Sequence, residues 1–150
     1  MASSTRRRVL YVEDHPTNAL LMSAILERRP QLELVIATSG REALRIAEGL
    51  EPVLLLLDLG LPDCHGSQLL GWMRDLPGCH TPPAVAVTAD VTFEPAEVGF
   101  CEVWTKPLDV EKVLARLDSL TAAAPQPQLQ PSRETQPQPQ RLATLVSNWL

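Results

Sequence analysis

Cysteine is scarce in this chain, and the little present has no pattern. Cys64, Cys79 and Cys101 are scattered and odd in number. They lack metal-ligand spacing and the look of a disulfide framework, which points to a reducing compartment. Long apolar runs are also missing, and none approaches a membrane span. The first apolar stretch after Arg6-Arg7-Arg8 is only Val9 to Val12, too short for a signal-peptide core. A cytoplasmic protein with no membrane contact is therefore expected. Positive charge is not in excess either. A formal net charge of −5 and a pI near 5.1 argue against a nucleic-acid-binding surface. The three arginines read as a solvated arm before the first strand. No internal repeat is visible.

What the chain does have is apolar content and an alternating pattern. Hydrophobic residues make up 45% of 150 positions, enough for one domain with a sizeable core. Strands are expected at about Arg8 to Val12, Glu33 to Ala37, Val53 to Leu57, Ala84 to Val87 and Cys101 to Trp104. Helices should fall between them. The first has Pro16 in its first turn and Leu21, Met22, Ile25 and Leu26 on its buried face. Ser39-Gly40-Arg41-Glu42 is a capping box that opens the second, with Ala43, Ile46, Ala47 and Leu50 following at i, i+3, i+4, i+7. A third covers Ser67 to Arg74, a weak fourth lies within Pro95 to Val98, and a fifth runs from Asp109 as N-cap. The fifth carries Val110, Val113, Leu114 and Leu117 on one face. Five βα units predict a parallel sheet with right-handed crossovers and helices on both faces.

Two of these strands end in acid. Val53 to Leu57 is an unbroken apolar run, as in parallel strands buried on both faces, and Asp58 follows it. Val9 to Val12 ends in Glu13-Asp14. The carboxyl ends of strands are where open α/β sheets place their ligands. If the two strands are neighbours, three carboxylates converge. At about 5 Å and an effective dielectric near 20, each like-charged pair costs roughly 3 kcal/mol. Such a cluster needs a cation or a raised pKa.

The motifs Glu13-Asp14, Asp58-Leu-Gly-Leu-Pro62 with Gly66, Thr88-Ala89 and Lys106-Pro107, each near a predicted strand end, agree together in spacing. On these residues, about Arg8 to Leu120 resembles the receiver domains of bacterial two-component response regulators. The resemblance implies a flavodoxin-like, doubly wound five-stranded sheet in the order 2-1-3-4-5. It implies that Asp58 is the phosphoacceptor, and a carboxylate can indeed attack a phosphoryl group to form an acyl phosphate. Mg²⁺ is the implied cofactor, held by Glu13, Asp14 and Asp58 and by the Gly60 carbonyl. Lys106 would pair with Asp58 or its phosphoryl group. Thr88 would hydrogen-bond a phosphoryl oxygen and draw its loop inward. Pro62 and Gly66 would shape the loop over the site, and Lys106-Pro107 would be a cis peptide. Gly60 and Asp90 occupy positions that tune the approach of water. Asn18 is read as capping or steadying the first helical turn, and His15 as a surface histidine. The implied partner is a sensor histidine kinase or a histidine phosphotransfer protein.

Two features depart from the family. The usual switch aromatic, three residues before the lysine, is Val103 here. Trp104 follows it, but strand alternation points Trp104 to the opposite face, toward the core. Thr88 to Lys106 spans 18 positions, about one helical turn short. Asp90-Val91-Thr92-Phe93-Glu94-Pro95 is also a poor helix sequence, so the fourth helix should be short, irregular or missing. That weakens dimerisation through this surface, and a monomer is expected.

Composition changes after Ala124. Eleven of the sixteen residues from Pro125 to Gln140 are Pro or Gln, which reads as a linker. The expected organisation is an arm over 1–7, a receiver over 8–122, a linker over 123–140 and a short amphipathic tail over 141–150. Only the linker and tail follow the sheet, so no direct DNA binding is expected. The chain reads as a stand-alone receiver or the receiver of a hybrid kinase. The resemblance implies a phosphoacceptor that catalyses only its own phosphoryl transfer and hydrolysis. Two other functions compete with this one. One is a pure protein-interaction module with an unused site. The other is an aspartate-nucleophile phosphohydrolase, a class that generally has a second aspartate where Gly60 stands.

Overall fold

The computed structural model describes residues 6–122, so the linker and the amphipathic tail lie outside the described residues. The strands are β1 (Arg7–Val12), β2 (Leu32–Ala37), β3 (Leu54–Asp58), β4 (Ala84–Thr88) and β5 (Glu102–Thr105). The helices are α1 (Pro16–Leu26), α2 (Gly40–Ala47), α3 (Gly66–Met73) and α4 (Val110–Leu120). Where a fourth helix was expected to be weak there is a single 3₁₀ turn, Pro95–Val98, so α4 is the fifth helical element. All strand pairs are parallel and the order is β2-β1-β3-β4-β5, as expected.

Alternation along the strands sorts the core into two layers. Leu10, Val12, Leu55, Leu57, Ala84 and Ala86 face α2 and α3 and meet Ala43, Ala47, Leu69, Leu70 and Met73. Val9, Tyr11, Leu54, Leu56, Val85 and Val87 face α1 and α4 and meet Met22, Ile25, Leu26, Val113, Leu114 and Leu117. Fully burying one such aliphatic side chain is worth about 1.5–3 kcal/mol. The two layers therefore hold β1 and β3 rigidly at the centre of the sheet.

Several expectations need correction. The arginines are not all a solvated arm: Arg7 and Arg8 belong to β1, and Arg8 Nε lies 3.2 Å from Glu33 Oε1 on β2. Asp58 is the last residue of β3 and does not follow it. Leu21, Ile46 and Leu50 do pack against the core, each partly buried. The N-cap of α1 is His15, exposed, and its side chain makes no cap bond. Asn18 does not cap this helix. Ser39 does cap α2, accepting from Glu42 N at 3.1 Å. Asp63 adds what sequence could not foresee: its carboxylate accepts from Gly40 N at 2.8 Å and Arg41 N at 2.9 Å, closing the N-terminus of α2 from the β3–α3 loop.

Candidate functional site

Because β1 and β3 are hydrogen-bonded neighbours in register, with Val12 opposite Leu57, their carboxyl ends bring Glu13, Asp14 and Asp58 to one crevice. Carboxylate oxygens of the three lie within 4.8 Å of one another. Glu13 is 1% exposed and Asp58 7%, whereas Asp14 is exposed. An all-oxygen donor set of this charge fits a hard divalent cation.

Lys106 enters from the end of β5. The Lys106–Pro107 peptide is cis, as expected, and Lys106 N donates to Thr88 O at 2.9 Å. The ammonium is shared between two acids: Nζ is 3.1 Å from Glu13 Oε1 and 3.5 Å from Asp58 Oδ2. Glu13 thus takes the shorter contact, and the expected Asp58 pairing is the longer one. Two further donors reach Glu13. Tyr11 Oη donates to Oε1 at 2.9 Å and His15 N to Oε2 at 3.1 Å. Asp58 Oδ1 accepts from Gly60 N at 3.2 Å.

These partners push the two buried acids apart. Burial raises the Glu13 pKa, but the bonds from Lys106, Tyr11 and His15 outweigh it and hold the carboxyl below its ordinary value. Burial raises Asp58, the nearby Glu13 charge adds to it, and the Gly60 bond and Lys106 do not offset the sum. Burial and the adjacent Glu13 charge also push the Tyr11 phenol well above its ordinary value, so it remains a donor.

The loop from Asp58 closes over the crevice. Gly66 N donates to Leu59 O at 2.9 Å, and a Cβ on Gly66 would stand 2.6 Å from the Asp58 carbonyl oxygen. Only glycine fits there, which accounts for the residue at the start of α3. Thr88, 6% exposed, ends β4, and its Oγ1 accepts from Asp90 N at 3.0 Å. The Asp90 carboxylate turns to Thr92, accepting from its N at 2.9 Å and Oγ1 at 2.7 Å. Phe93 meets the His65 ring in a tilted contact at 6.3 Å between centroids and Phe100 edge-on at 5.8 Å, tying the 90–94 segment back to the β3–α3 loop. Val103 is partly buried on the α2/α3 side, and Trp104, 7% exposed, packs on the α1/α4 side as its parity requires.

Sequence reasoning missed Tyr11. A signal existed: residues i and i+2 share a strand face, and a lone tyrosine two before a glutamate can reach it.

A family model described as response regulator receiver domain matches residues 9–118, and the chain belongs to that family. The chain is 31% identical to the polar-differentiation response regulator DivK of Brucella ovis over 117 residues, covering 75% of this chain and 94% of DivK. A putative response regulator from Chloroflexus aurantiacus superposes with a TM-score of 0.69 at 29% identity, covering 79% of this chain and 99% of that one. The receiver domain of sensor histidine kinase PA1611 from Pseudomonas aeruginosa, solved with magnesium coordinated in its active-site cleft, also gives 0.69. At 24% identity, covering 77% and 98%, it shows likeness of fold. Among the described residues no helix is long and apolar enough to cross a membrane.

Proposed function

We propose that the chain is the phosphoacceptor module of a two-component phosphorelay, taking a phosphoryl group from a phosphohistidine donor onto Asp58. The observation that carries this reading is a nucleophile between a cation-binding set and a lysine. Asp58 shares a 4.8 Å carboxylate cluster with Glu13 and Asp14 and lies 3.5 Å from Lys106 Nζ. An Asp58 carboxylate oxygen attacks phosphorus. The O–P bond forms as the P–N bond of the donor breaks, and the imidazole leaves with the electron pair and takes up a proton. Mg²⁺ would be held by Asp14, Asp58 and the Gly60 carbonyl, with Glu13 reaching it through water, and would supply neutralisation of the crowded phosphoryl oxygens. Lys106 pairs with the transferred group. Thr88 exchanges its bond from Asp90 N for one to a phosphoryl oxygen, moving the 90–94 segment. Asp90 and Gly60 flank the path of hydrolytic water, and Val103 stands where relatives carry a switch aromatic. The donor is a sensor histidine kinase or a histidine phosphotransfer protein. The receiver spans 8–122 and acts as a cytoplasmic monomer that contacts neither DNA nor membrane.

Incubation with Mg²⁺ and acetyl phosphate, followed by intact mass, tests this. One phosphoryl adduct is expected on the native chain and none on Asp58→Asn, whose amide is not a competent nucleophile. Equal labelling of the two removes Asp58 from the role, and steady turnover of phosphate esters would make the protein a hydrolase.

A further inference from the structure

Every oxygen of the Glu13 carboxylate already has a partner inside the protein. Oε1 accepts from Tyr11 Oη at 2.9 Å and faces Lys106 Nζ at 3.1 Å, and Oε2 accepts from His15 N at 3.1 Å. Tyr11 is fully buried, in a strand whose other core positions, Val9, Leu10 and Val12, are aliphatic. Its hydroxyl is a polar atom that packing alone does not require. A buried hydroxyl is retained where it has a bond to make, and a bond to a charged acceptor is stronger than one to a neutral group. Asp14 differs in every respect. It is exposed, and no described residue pairs with its carboxylate. The two acids are neighbours in sequence yet have different tasks.

We infer that Tyr11 is a positioning residue that pins the Glu13 carboxylate against Lys106, leaving Asp14 and Asp58 as the acids that face the cation. This rests on the phosphoacceptor reading above and assigns labour within that site. The pin has a consequence for Lys106. When the ammonium leaves Glu13 for the phosphoryl group, Glu13 keeps the bonds from Tyr11 and His15 and is not left bare in the core. Without Tyr11, Glu13 has one donor fewer, and its unspent charge becomes available to the ion.

Tyr11→Phe removes only the hydroxyl and keeps the packed ring. Mg²⁺ titration by calorimetry should show the variant binding severalfold tighter than the native chain, because hydroxyl and cation compete for one carboxylate. A merely structural tyrosine would lower stability without tightening the ion. Equal or weaker Mg²⁺ binding by the folded variant overturns the assignment. A second measurement needs no metal. In chelator, Tyr11→Phe should lower the thermal midpoint by several degrees in the native background and by clearly less in Glu13→Gln, where the charge is gone. Equal losses in both backgrounds also overturn it. If the native chain binds no Mg²⁺, the functional reading fails, while this stability comparison still decides the role of Tyr11.

Discussion

The crevice at the ends of β1 and β3 and the connection from β4 to β5 are built on opposite terms. In the crevice, Glu13 and Asp58 are almost wholly buried and Lys106 bridges them. Glu13 and Asp58 each take local donors as well as the distant Lys106, whereas Asp14 is exposed. The connection after Thr88 is mostly exposed. Its local bonds are short-range, from Asp90 to Thr88, from Thr92 and Phe93 back to Asp90 and from Phe100 to Pro95, and its helical content is one 3₁₀ turn. The chemistry is thus set in a rigid frame, whereas the segment that would report on it has little internal rigidity. A shift of Thr88 can be felt by its neighbours through the Asp90 bond, but no long helix follows to carry it farther. The contacts that limit the segment are aromatic, through Phe93 to His65 and Phe100. Those contacts couple the segment to the β3–α3 loop at close range.

Breaking the rigid side should give the largest effect. Lys106→Ala leaves Glu13 buried without its cation. We predict a loss of about 2–3 kcal/mol at neutral pH, below the range for fully buried pairs because the lysine is partly exposed. Urea denaturation in chelator measures it, and an unchanged midpoint would show that Tyr11 and His15 suffice for Glu13. The loss should depend on pH. The folded Glu13 pKa lies below its ordinary 4.5, so its contribution is present above that value and fades as pH falls through the folded pKa.

Asp58→Asn should act in the opposite direction and more weakly. The Asp58 pKa is raised by burial and by Glu13, so ionised Asp58 is a burden on the fold above its folded pKa. The burden disappears below the ordinary value of 3.8, where both states are protonated. In metal-free buffer at pH 7, Asp58→Asn is predicted to raise the thermal midpoint by a few degrees. That gain should shrink toward zero in acid below pH 3.8. A variant no more stable than the native chain at pH 7 would mean that Lys106 already balances the cluster.

The smallest effect concerns the flexible side. Amide exchange with and without beryllofluoride should show new protection confined to residues 58–66 and 90–97, with no dimer on sedimentation. Protection extending over 101–117 together with dimer formation would show that a long fourth helix is not needed to relay the change.

Much of this architecture was legible in the chain. Val53 to Leu57 read as a strand buried on both faces because parallel strands covered by helices need no polar side, and both faces are indeed covered. The acidic ends of β1 and β3 were legible for the same reason, since an apolar run that stops at a carboxylate marks where a buried strand meets water. The short fourth helix followed from Asp90 to Pro95, a segment poor in helix formers. Trp104 was placed in the core by strand parity alone. Boundaries moved by a residue or so, because hydrogen bonding to a neighbouring strand extends β1 back to Arg7 and β3 forward to Asp58. What only the folded chain decided is how charges are shared. Lys106 and Glu13 are 93 positions apart, and their 3.1 Å contact depends on the strand order and side-chain rotamers together. The Asp63 bonds to the start of α2, across 23 and 22 positions, are of the same kind. Periodicity determines which face a residue occupies, but hydrogen bonds are settled within a few tenths of an ångström by packing, and no local pattern of residues encodes that distance.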